Sequence, residues 1–511
     1  MEKDFISKRV IYNGFNDEQG MAIDYLHKTY GWEPVLILAK EHTRPWYQEN
    51  YKDVVFADIM ELRLGRFDYG KRPPVPIDKE ILANLSCYER SCYSDHLMED
   101  SNGWNFSFVE RRQFYFEMLR YWNTVIQHLK PDIFVSWSWP HTIPDYVLYL
   151  LCKHHYNIPT VFSDCTPYLE NYSACHDELE NLPSIFEEVY NSTQHLELTD
   201  ETKKYLANIR ANVSKDPKHI TEFNIAYKYS YLRTIFDLIK KIPFAFKKQT
   251  IAFKHNRYPW GSPKSQMNYL DYDLWRLQVM IKNEFLYKLY SSYTKEMDFN
   301  KKYILFPASY QPEATTCPQG GAYDDLFLVL DLLSASVPKD WLIYYKEYPK
   351  RHLQTYHKLS LYRNKQYYER IASLKNVQMI PEDMNTSELI DHAQAVATVT
   401  GTVGWEAVVR GKPVLIFGSV WYGGCKSIFK IETYQDCLEA INKIRNGYKP
   451  DQVDVERYAA AIEQSSHKLF IHGDFYRRIK SCSDKKFEME RIAKAMYERY
   501  VIKYSPSHAN V

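Results

Sequence analysis

The chain has 511 residues, and its 65 Lys and Arg against 64 Asp and Glu give a formal net charge of +1. A chain of this length is too long for one hydrophobic core, so two or three domains are expected. The near-neutral charge excludes a globally basic nucleic-acid-binding protein, and the 45% hydrophobic and 25% charged content is ordinary for a globular protein.

The cysteines and the apolar stretches of the sequence indicate in which cellular compartment the protein is expected. The nine cysteines are scattered without a C-x-x-C pair, so neither a zinc site nor a disulfide framework is predicted, and reduced cytoplasmic thiols fit this pattern. The amino-terminal sequence MEKDFISKRV is charged and lacks an apolar signal segment. Because no stretch has 18 consecutive apolar residues, no membrane-spanning helix is predicted.

The first 180 residues form one predicted domain, in which strand-like and helix-like segments alternate as in a parallel sheet covered by helices. The first predicted strand, Arg9–Tyr12, is followed by a turn with a single glycine, Gly14, so there is no dinucleotide-binding fingerprint. A run of prolines between residues 73 and 76 predicts an irregular region over 41–105. The other predicted elements are strands at 32–39, 133–136 and 158–162 and helices up to residue 27, at 109–129 and at 143–155.

The segment after the predicted strand 133–136 is the notable part of this domain. Trp137, Trp139 and His141 lie where the strand ends, and Asp145 lies in the first turn of the next helix. A histidine at the carboxyl end of a strand, near an acid, is suited to act as a general base or to bind an anionic sugar. The alternative is that His141 caps the loop while the tryptophans pack the domain edge.

Residues 181–300 are predicted to form a helical insert or linker, because long helical patterns replace the alternation there. Within the insert, 233–264 holds eight Lys and Arg and a single acid, Asp237, interleaved with Phe and Ile. A basic, aromatic-rich stretch of this kind can rest on an anionic membrane surface. The alternative is a linker whose lysines face water.

The alternation resumes over a second predicted domain, 301–480. A last helix, Lys485–Tyr504, falls in the C-terminal region 481–511 and is expected to cross back onto the first domain before a disordered tail. The predicted strands are 302–307, 341–345, one ending at 379–381, 395–399 and 414–417, and the predicted helices are 324–333, one starting at 385, 403–409, 433–446 and 453–470.

Polar side chains follow three strands of this second domain. Because the carboxyl ends of parallel strands meet at one edge of a sheet, where ligands of open α/β sheets bind, these side chains are predicted to share a cleft. The alternative for the first group is a plain polar loop. The candidate residues are Gln311, Glu313, Thr315 and Thr316, then Lys346, Glu347 and Tyr348, and finally Thr400, Gly401, Thr402, Gly404 and Glu406.

The last of these groups forms a strand, tight turn and helix between Gln394 and Gly418. Backbone N–H groups and the helix dipole at such a turn favour a phosphate. Glu406, about one turn into the helix, can accept hydrogen bonds from ribose hydroxyls. The alternative is that Thr400 and Thr402 only cap the helix while Glu406 complements its dipole.

The stretch TGTVGWEAVVRGKPVLIFG at 400–418 resembles the nucleotide-sugar site of GT-B glycosyltransferases. More narrowly, it is similar to the capsule polysaccharide synthesis family, which includes β-Kdo transferases that use a CMP-activated sugar. The sequence QPEATT at 311–316 matches a motif of putative capsule synthesis proteins. The related transferases commonly have Lys-Glu-His-Pro where this chain has Lys-Glu-Tyr-Pro, so Tyr348 stands in place of a phosphate-binding histidine.

The resemblance implies an α/β, GT-B-like fold in which two Rossmann-like domains face a cleft, the first receiving the acceptor and the second the donor. It implies a transferase of bacterial capsule or lipopolysaccharide synthesis that moves Kdo or a related ulosonic acid from a CMP-activated donor to a glycan or glycolipid. No D-x-D motif ends a strand, so metal-independent transfer without a cofactor is expected. The resemblance also implies retention of configuration. Such an enzyme would work in the cytoplasm or as a peripheral protein on the inner face of the membrane.

Retention would require a carboxylate nucleophile in the cleft, and Glu313 is the predicted one, with Glu347 as its competitor. His141 or Asp145 would then activate the acceptor hydroxyl. Three alternatives stay open: a transferase that uses a UDP-sugar, a nucleotide-sugar epimerase of the same architecture, and a non-catalytic scaffold in a polysaccharide assembly complex. The epimerase needs no polymer or lipid acceptor, and the scaffold would bind no nucleotide.

Overall fold

The structure is a computed structural model that describes residues 7–17, 19–94, 106–166, 172–192, 197–211, 236, 239–240, 269–311, 313–348, 362–468 and 485–505. Its described part contains two separate sheets, each covered by helices on both faces. This arrangement confirms the predicted α/β class with two Rossmann-like sheets. We call the first sheet with its helices the first lobe and the second sheet with its helices the second lobe.

The first sheet has the strand order β13-β6-β5-β4-β1-β2-β3 within the described residues. Strands β1 to β5 pair in parallel, whereas β6 is antiparallel to β5 and β13 is antiparallel to β6. The strands are β1 (Lys8–Asn13), β2 (Trp32–Ala39), β3 (Val55–Asp58), β4 (Ile133–Ser136), β5 (Thr160–Cys165), β6 (Tyr172–His176) and β13 (His467–Lys468).

The second sheet has the order β12-β11-β10-β7-β8-β9, and all its pairs are parallel. Along its strands successive side chains enter opposite cores, as in β7, where Tyr303 and Leu305 pack on one face and Ile304 and Phe306 on the other. The strands are β7 (Lys302–Pro307), β8 (Trp341–Lys346), β9 (Val377–Ile380), β10 (Ala395–Thr398), β11 (Val414–Ile416) and β12 (Phe429–Lys430).

The helices of the first lobe correct one prediction. The region 41–105 is not irregular throughout, because it contains β3 and several short helices, two of them capped by Asp58 and Asp78. The prolines fall only in the connection between two of these helices. The helices are α1 (Gly20–Tyr30), a 3₁₀ turn (Glu41–Thr43), α2 (Arg44–Asn50), α3 (Ile59–Arg63), α4 (Lys79–Leu85), α5 (Glu89–Cys92), α6 (Phe108–Leu129) and α7 (Ile143–Leu150), which continues as a π-helical turn (Leu151–His155).

The remaining helices follow the predicted order. The helix expected over 453–470 ends early, at Gln464, because the chain then joins the first sheet as β13. These helices are α8 (Ser184–Ser192), α9 (Asp200–Arg210), α10 (Tyr269–Tyr293), a 3₁₀ turn (Gly321–Asp324), α11 (Leu326–Ser336), α12 (Lys365–Ser373), α13 (Thr386–His392), α14 (Val403–Val409), α15 (Tyr434–Arg445), α16 (Gln452–Gln464) and α17 (Lys485–Tyr504).

The last helix, α17, packs on the first lobe. The ring of Tyr497 stacks on that of Tyr30 in α1 at 3.6 Å, and Met489, Ile492 and Met496 enter the same core as β1. Thus the C-terminal chain returns to the first sheet, while the domain boundaries predicted at 180, 300 and 480 stay predictions. Of the helices that the structure describes, none has both the length and the apolarity needed to cross a membrane.

Candidate functional site

The second sheet reverses its strand order between β10 and β7, and open α/β sheets bind ligands in the crevice at such a point. The loops that follow these two strands are joined directly, because the hydroxyl of Thr400 donates to the carbonyl of Thr315 at 2.6 Å. The hydroxyl of Thr316 turns inward and donates to the Glu313 carbonyl at 2.9 Å. Two predicted groups therefore meet at one edge of the sheet, as expected.

Three glycines allow these loops to approach one another. A Cβ on Gly320 would overlap the Thr316 carbonyl, and one on Gly418 would lie 2.7 Å from the Thr400 methyl. A Cβ on Gly404 would overlap the hydroxyl of Tyr422, which donates to the Gly401 carbonyl. Gly404, predicted as a binding residue, thus makes room for Tyr422 against the first turn of α14.

The capping alternative for the turn at 400–402 does not match the geometry. Thr402 is exposed and its side chain makes no capping bond, whereas the hydroxyl of Thr398 accepts a hydrogen bond from the Gly401 N–H at 3.1 Å. Glu406 is half-buried, and its burial raises the pKa of its carboxyl. No hydrogen bond to that carboxylate comes from any part of the chain that the structure describes. Thr402 and Glu406 therefore both have polar atoms available to a ligand.

Glu347, another predicted ligand contact, lies instead in a buried network. Its carboxylate is 2.8 Å from Nε of Arg363, and the two side chains are 0% and 2% exposed. The hydroxyls of Tyr345 and Tyr368 donate to the same carboxylate at 2.8 and 2.9 Å. The Arg363 guanidinium and these bonds hold the pKa of Glu347 below its usual range, although burial opposes them. This network corrects the prediction that Glu347 contacts the ligand, because its carboxylate oxygens are hydrogen-bonded to other side chains inside the protein.

The same network holds Gln311. Its side-chain oxygen accepts from Arg363 at 2.7 Å, and its side-chain nitrogen donates to the Asp324 carbonyl at 2.6 Å. Gln311 is buried, so it fixes the loop after β7 and is not displayed in the crevice. Sequence patterning missed Arg363, because nothing near it in the chain marks it as the partner of Glu347.

Lys346 and Tyr348 flank the buried glutamate at the end of β8. The Lys346 ammonium donates to the hydroxyl of Thr386 at 3.1 Å, at the start of α13. The Tyr348 ring packs against Tyr310 with centroids 5.2 Å apart. Lys346 therefore lies, largely buried, at the sheet edge where a donor phosphate is predicted.

Glu313, the predicted nucleophile, is displayed on the loop after β7. Its side chain is exposed, and Thr315 donates to its carboxylate at 2.7 Å. Desolvation by the surrounding protein raises the pKa of the Glu313 carboxyl, and the hydrogen bond from Thr315 opposes this rise. The next part of this loop touches the first lobe, because Asp324 forms an ion pair with Arg90 in α5. Glu313 thus lies on a loop that continues to the contact between the lobes.

The first lobe contains a cavity of about 500 Å³ at the carboxyl edge of its sheet. The sheet reverses its order between β1 and β4, and the loops after both strands line this cavity. The position therefore obeys the same topological rule as the crevice of the second lobe. Its lining includes Phe15, Lys40, Trp137, Trp139, His141 and Asp164.

Asp145 does not line this cavity, which corrects its predicted role. Its carboxylate accepts hydrogen bonds from the N–H and the hydroxyl of Thr142 at 2.8 and 2.6 Å, so it caps α7. It is also only 5% exposed. The acid that shares the cavity with His141 is Asp164, the penultimate residue of the neighbouring strand β5.

His141 and Asp164 present different chemistry to the cavity. Nδ1 of His141 lies 2.8 Å from the Trp139 carbonyl, which can only accept, so Nδ1 is the donor of this hydrogen bond. Burial raises the pKa of Asp164 to about 7, opposed by one hydrogen bond from the Cys165 N–H at 2.8 Å. The sequence predicts a strand over 158–162 but assigns no function to Asp164, which follows it closely.

Comparison with known proteins bears on the second lobe in particular. The family model "Capsule polysaccharide biosynthesis protein" matches residues 250–476, a range that contains every predicted donor-site residue. The predicted family resemblance is confirmed over that range. The capsule polysaccharide modification protein LipA of Neisseria meningitidis serogroup B is 36% identical over 58 residues, which are 11% of this chain and 8% of that protein. The chain thus aligns with less than a tenth of that relative's length.

Three solved structures are also similar to the chain. The Thermosulfurimonas dismutans KpsC β-Kdo 2,7 transferase is 10% identical with a TM-score of 0.29, covering 76% of this chain and 97% of that one. The β-Kdo 2,4 transferase of the same protein is 14% identical with a TM-score of 0.30, covering 65% and 79%. The UDP-GlcNAc 2-epimerase of Methanocaldococcus jannaschii is 12% identical with a TM-score of 0.23, covering 88% and 98%.

Proposed function

We propose that this protein is a glycosyltransferase of bacterial capsule or lipopolysaccharide synthesis that binds a nucleotide-activated sugar at the carboxyl edge of its second sheet. The observation that supports this most is the crevice between β7 and β10, where Thr402 and Glu406 have polar atoms available beside a turn of backbone N–H groups. The crevice falls inside the range matched by the capsule family model. The acceptor glycan would bind to the first lobe.

Each group at the crevice has a distinct task in this proposal. The turn from Thr400 to Thr402 would hold a donor phosphate through the hydroxyl of Thr402 and backbone N–H groups of the turn, with Lys346 supplying positive charge. Glu406 would accept hydrogen bonds from ribose hydroxyls. Gln311 and Glu347 would act indirectly, because their bonds to Arg363 fix the loops after β7 and β8.

The donor we favour is CMP-Kdo or a related CMP-activated ulosonic acid, on the strength of the family resemblance. A UDP-sugar transferase and a nucleotide-sugar epimerase are the alternatives. An epimerase needs no second substrate, whereas the first lobe offers a tryptophan-lined cavity large enough for a small molecule. That cavity favours the transferase.

We further propose a metal-independent, retaining reaction with Glu313 as nucleophile, because its carboxylate is exposed on the loop between the donor crevice and the contact with the first lobe. Peripheral docking on the inner face of the membrane is proposed for the basic stretch 233–264. That stretch lies outside the described residues except at 236, 239 and 240.

The donor site is tested by calorimetry with CMP and UDP on the native protein and on Thr402→Val and Glu406→Ala. Each lost hydrogen bond to a charged group is worth roughly 1.5–3 kcal/mol, so both variants should bind the preferred nucleotide about tenfold more weakly or worse. Glu439→Ala, which removes an exposed carboxylate from α15 in the same lobe, is the matched control and should bind normally. Unchanged binding in both site variants would remove this site, and a native protein that binds neither nucleotide would favour the scaffold alternative.

A further inference from the structure

We propose that the first-lobe cavity is the acceptor-sugar subsite and that the carboxylate of Asp164 receives the proton of the attacking acceptor hydroxyl. This inference rests on the proposed transferase function and extends it to a residue outside the donor crevice. Asp164 is the penultimate residue of β5 and lines the cavity beside the loop that carries His141. It thereby occupies the place that sequence patterning assigned to Asp145.

The cavity wall suits a sugar ring. Trp139 is half-buried and supplies apolar surface, whereas Phe15 and Trp137 line the cavity but are almost wholly buried, and a small number of polar groups interrupt this wall. Binding sites for small molecules combine apolar walls with a few convergent polar groups in this way, in volumes of a few hundred Å³. A hydroxylated ring can therefore pack on Trp139 and direct one hydroxyl to the carboxylate of Asp164.

The bonding of Asp164 leaves it able to accept that hydroxyl. Its Oδ1 accepts one hydrogen bond, from the backbone N–H of Cys165 at 2.8 Å. Across the described residues no side chain donates to this carboxylate and no cation offsets its charge. Burial accordingly raises the pKa of Asp164 to about 7, which places it where a general base works best near neutral pH.

The step balances without a further reactant. The acceptor oxygen forms a bond to the anomeric carbon of the donor sugar, and the bond from that carbon to its leaving group breaks with the electron pair staying on the leaving group. The hydroxyl proton passes to a carboxylate oxygen of Asp164 and then to solvent. In a retaining enzyme the leaving group of this second step is the enzyme carboxylate proposed at Glu313.

Other ionisable groups also face the cavity. Lys40 and His42 come from the loop after β2, His141 comes from the loop after β4, and Cys165 is the neighbour of Asp164 in β5. Histidines change charge in the same pH range, so a pH profile must be assigned with variants.

The test measures sugar transfer between pH 5 and 9 together with CMP binding. Native transfer should fall on the acidic side with a midpoint near pH 7. Asp164→Asn should lose at least about 100-fold in transfer while CMP binding stays within twofold, and Asp164→Glu should recover part of the rate with a shifted midpoint. Asp53→Asn, an exposed aspartate of the same lobe away from the cavity, should behave as native.

Two results would overturn this inference and leave the proposed function intact. One is sugar transfer by Asp164→Asn at the native rate. The other is a fall in transfer rate at acidic pH that persists in Asp164→Asn and disappears in His141→Gln. A native protein that binds no nucleotide would overturn the proposed function, and this inference with it.

Thermal unfolding gives a readout that does not depend on activity. A carboxyl whose pKa is raised on folding costs stability above its unfolded pKa of about 3.9, and the cost is complete above the folded value. Asp164→Asn should therefore have a higher thermal midpoint than the native protein at pH 8 and an equal one below pH 4. A lower midpoint at pH 8 would mean that Asp164 is a structural residue, against the inference.

Discussion

Replacing Arg363 by methionine should destabilise the second lobe strongly, because the change leaves Glu347 buried without its cation. The two side chains are 2% and 0% exposed, so neither charge can recover hydration within the native structure. Removing one partner of a buried ion pair costs about 3–5 kcal/mol. For a lobe of this size that corresponds to a fall in the thermal midpoint on the order of 10 °C.

The effect of Arg363→Met should depend on pH in a defined direction. The pKa of Glu347 is lowered in the folded protein, so its ionisation contributes stability above its unfolded pKa of about 4.3, and this contribution is lost as pH falls through the lower folded value. Without Arg363 the carboxyl can fold protonated at low pH. The gap in thermal midpoint between native protein and variant should therefore be larger at pH 7 than at pH 4.

The assay is thermal unfolding followed by circular dichroism. The matched control is Lys28→Met, which breaks the exposed Lys28–Asp24 pair of α1 and should cost less than about 1 kcal/mol. The double variant Arg363→Met, Glu347→Met should recover part of the loss, because no charge is then left buried. A cost below about 1 kcal/mol for Arg363→Met, or a gap that grows as the pH falls, would refute the role assigned to this pair.

Two further predictions concern turnover and location. Glu313→Gln is nearly isosteric and should keep donor binding while losing nearly all transfer. Mass spectrometry of the native enzyme with donor alone should detect a glycosyl adduct. If the Glu313→Gln variant turns over at the native rate, Glu313 is only a loop residue. Replacing Lys240, Lys241, Lys247 and Lys248 by Glu should abolish co-sedimentation with anionic liposomes and leave turnover of a soluble acceptor near normal. If the native protein does not bind such liposomes at low salt, the membrane proposal is wrong.

The elements around the donor crevice could be predicted from sequence because their signals are local. The helix bounds 403–409 were predicted correctly, since Gly411 adopts φ +75° and the N–H groups of Gly411 and Lys412 bond to the carbonyls of Val408 and Ala407. This Schellman arrangement stops the helix within its own sequence. Buried parallel strands such as β2 are likewise visible as short apolar runs.

Two of the incorrect predictions involve partners that are distant in the chain, and the third, for Asp145, involves a partner at the start of its own helix. β13 is two residues long and exists because His467 and Lys468 pair with β6, so no local pattern announces it. Glu347 sits in a polar run that is typical of ligand contacts, and only its distant partner Arg363 reveals it as an internal ion pair. Asp145 looked like the acid beside His141, whereas it belongs to the capping box of its own helix.

Two enclosed carboxyl groups of this protein, Glu347 and Asp164, differ in the sign of their pKa shift, and the sign separates their roles. Glu347 meets a guanidinium and two phenols, so its charged form is compensated and its pKa falls despite complete burial. Asp164 meets one backbone N–H, so burial dominates and its pKa rises to about 7. An uncompensated carboxyl lowers stability at neutral pH, and asparagine would fill its place without that cost. Asp164 lies in the wall of a cavity at the switch point of the sheet, and this position explains why an acid is present there despite its cost. A general base for the acceptor hydroxyl must be able to take up a proton and release it again, which an asparagine cannot do.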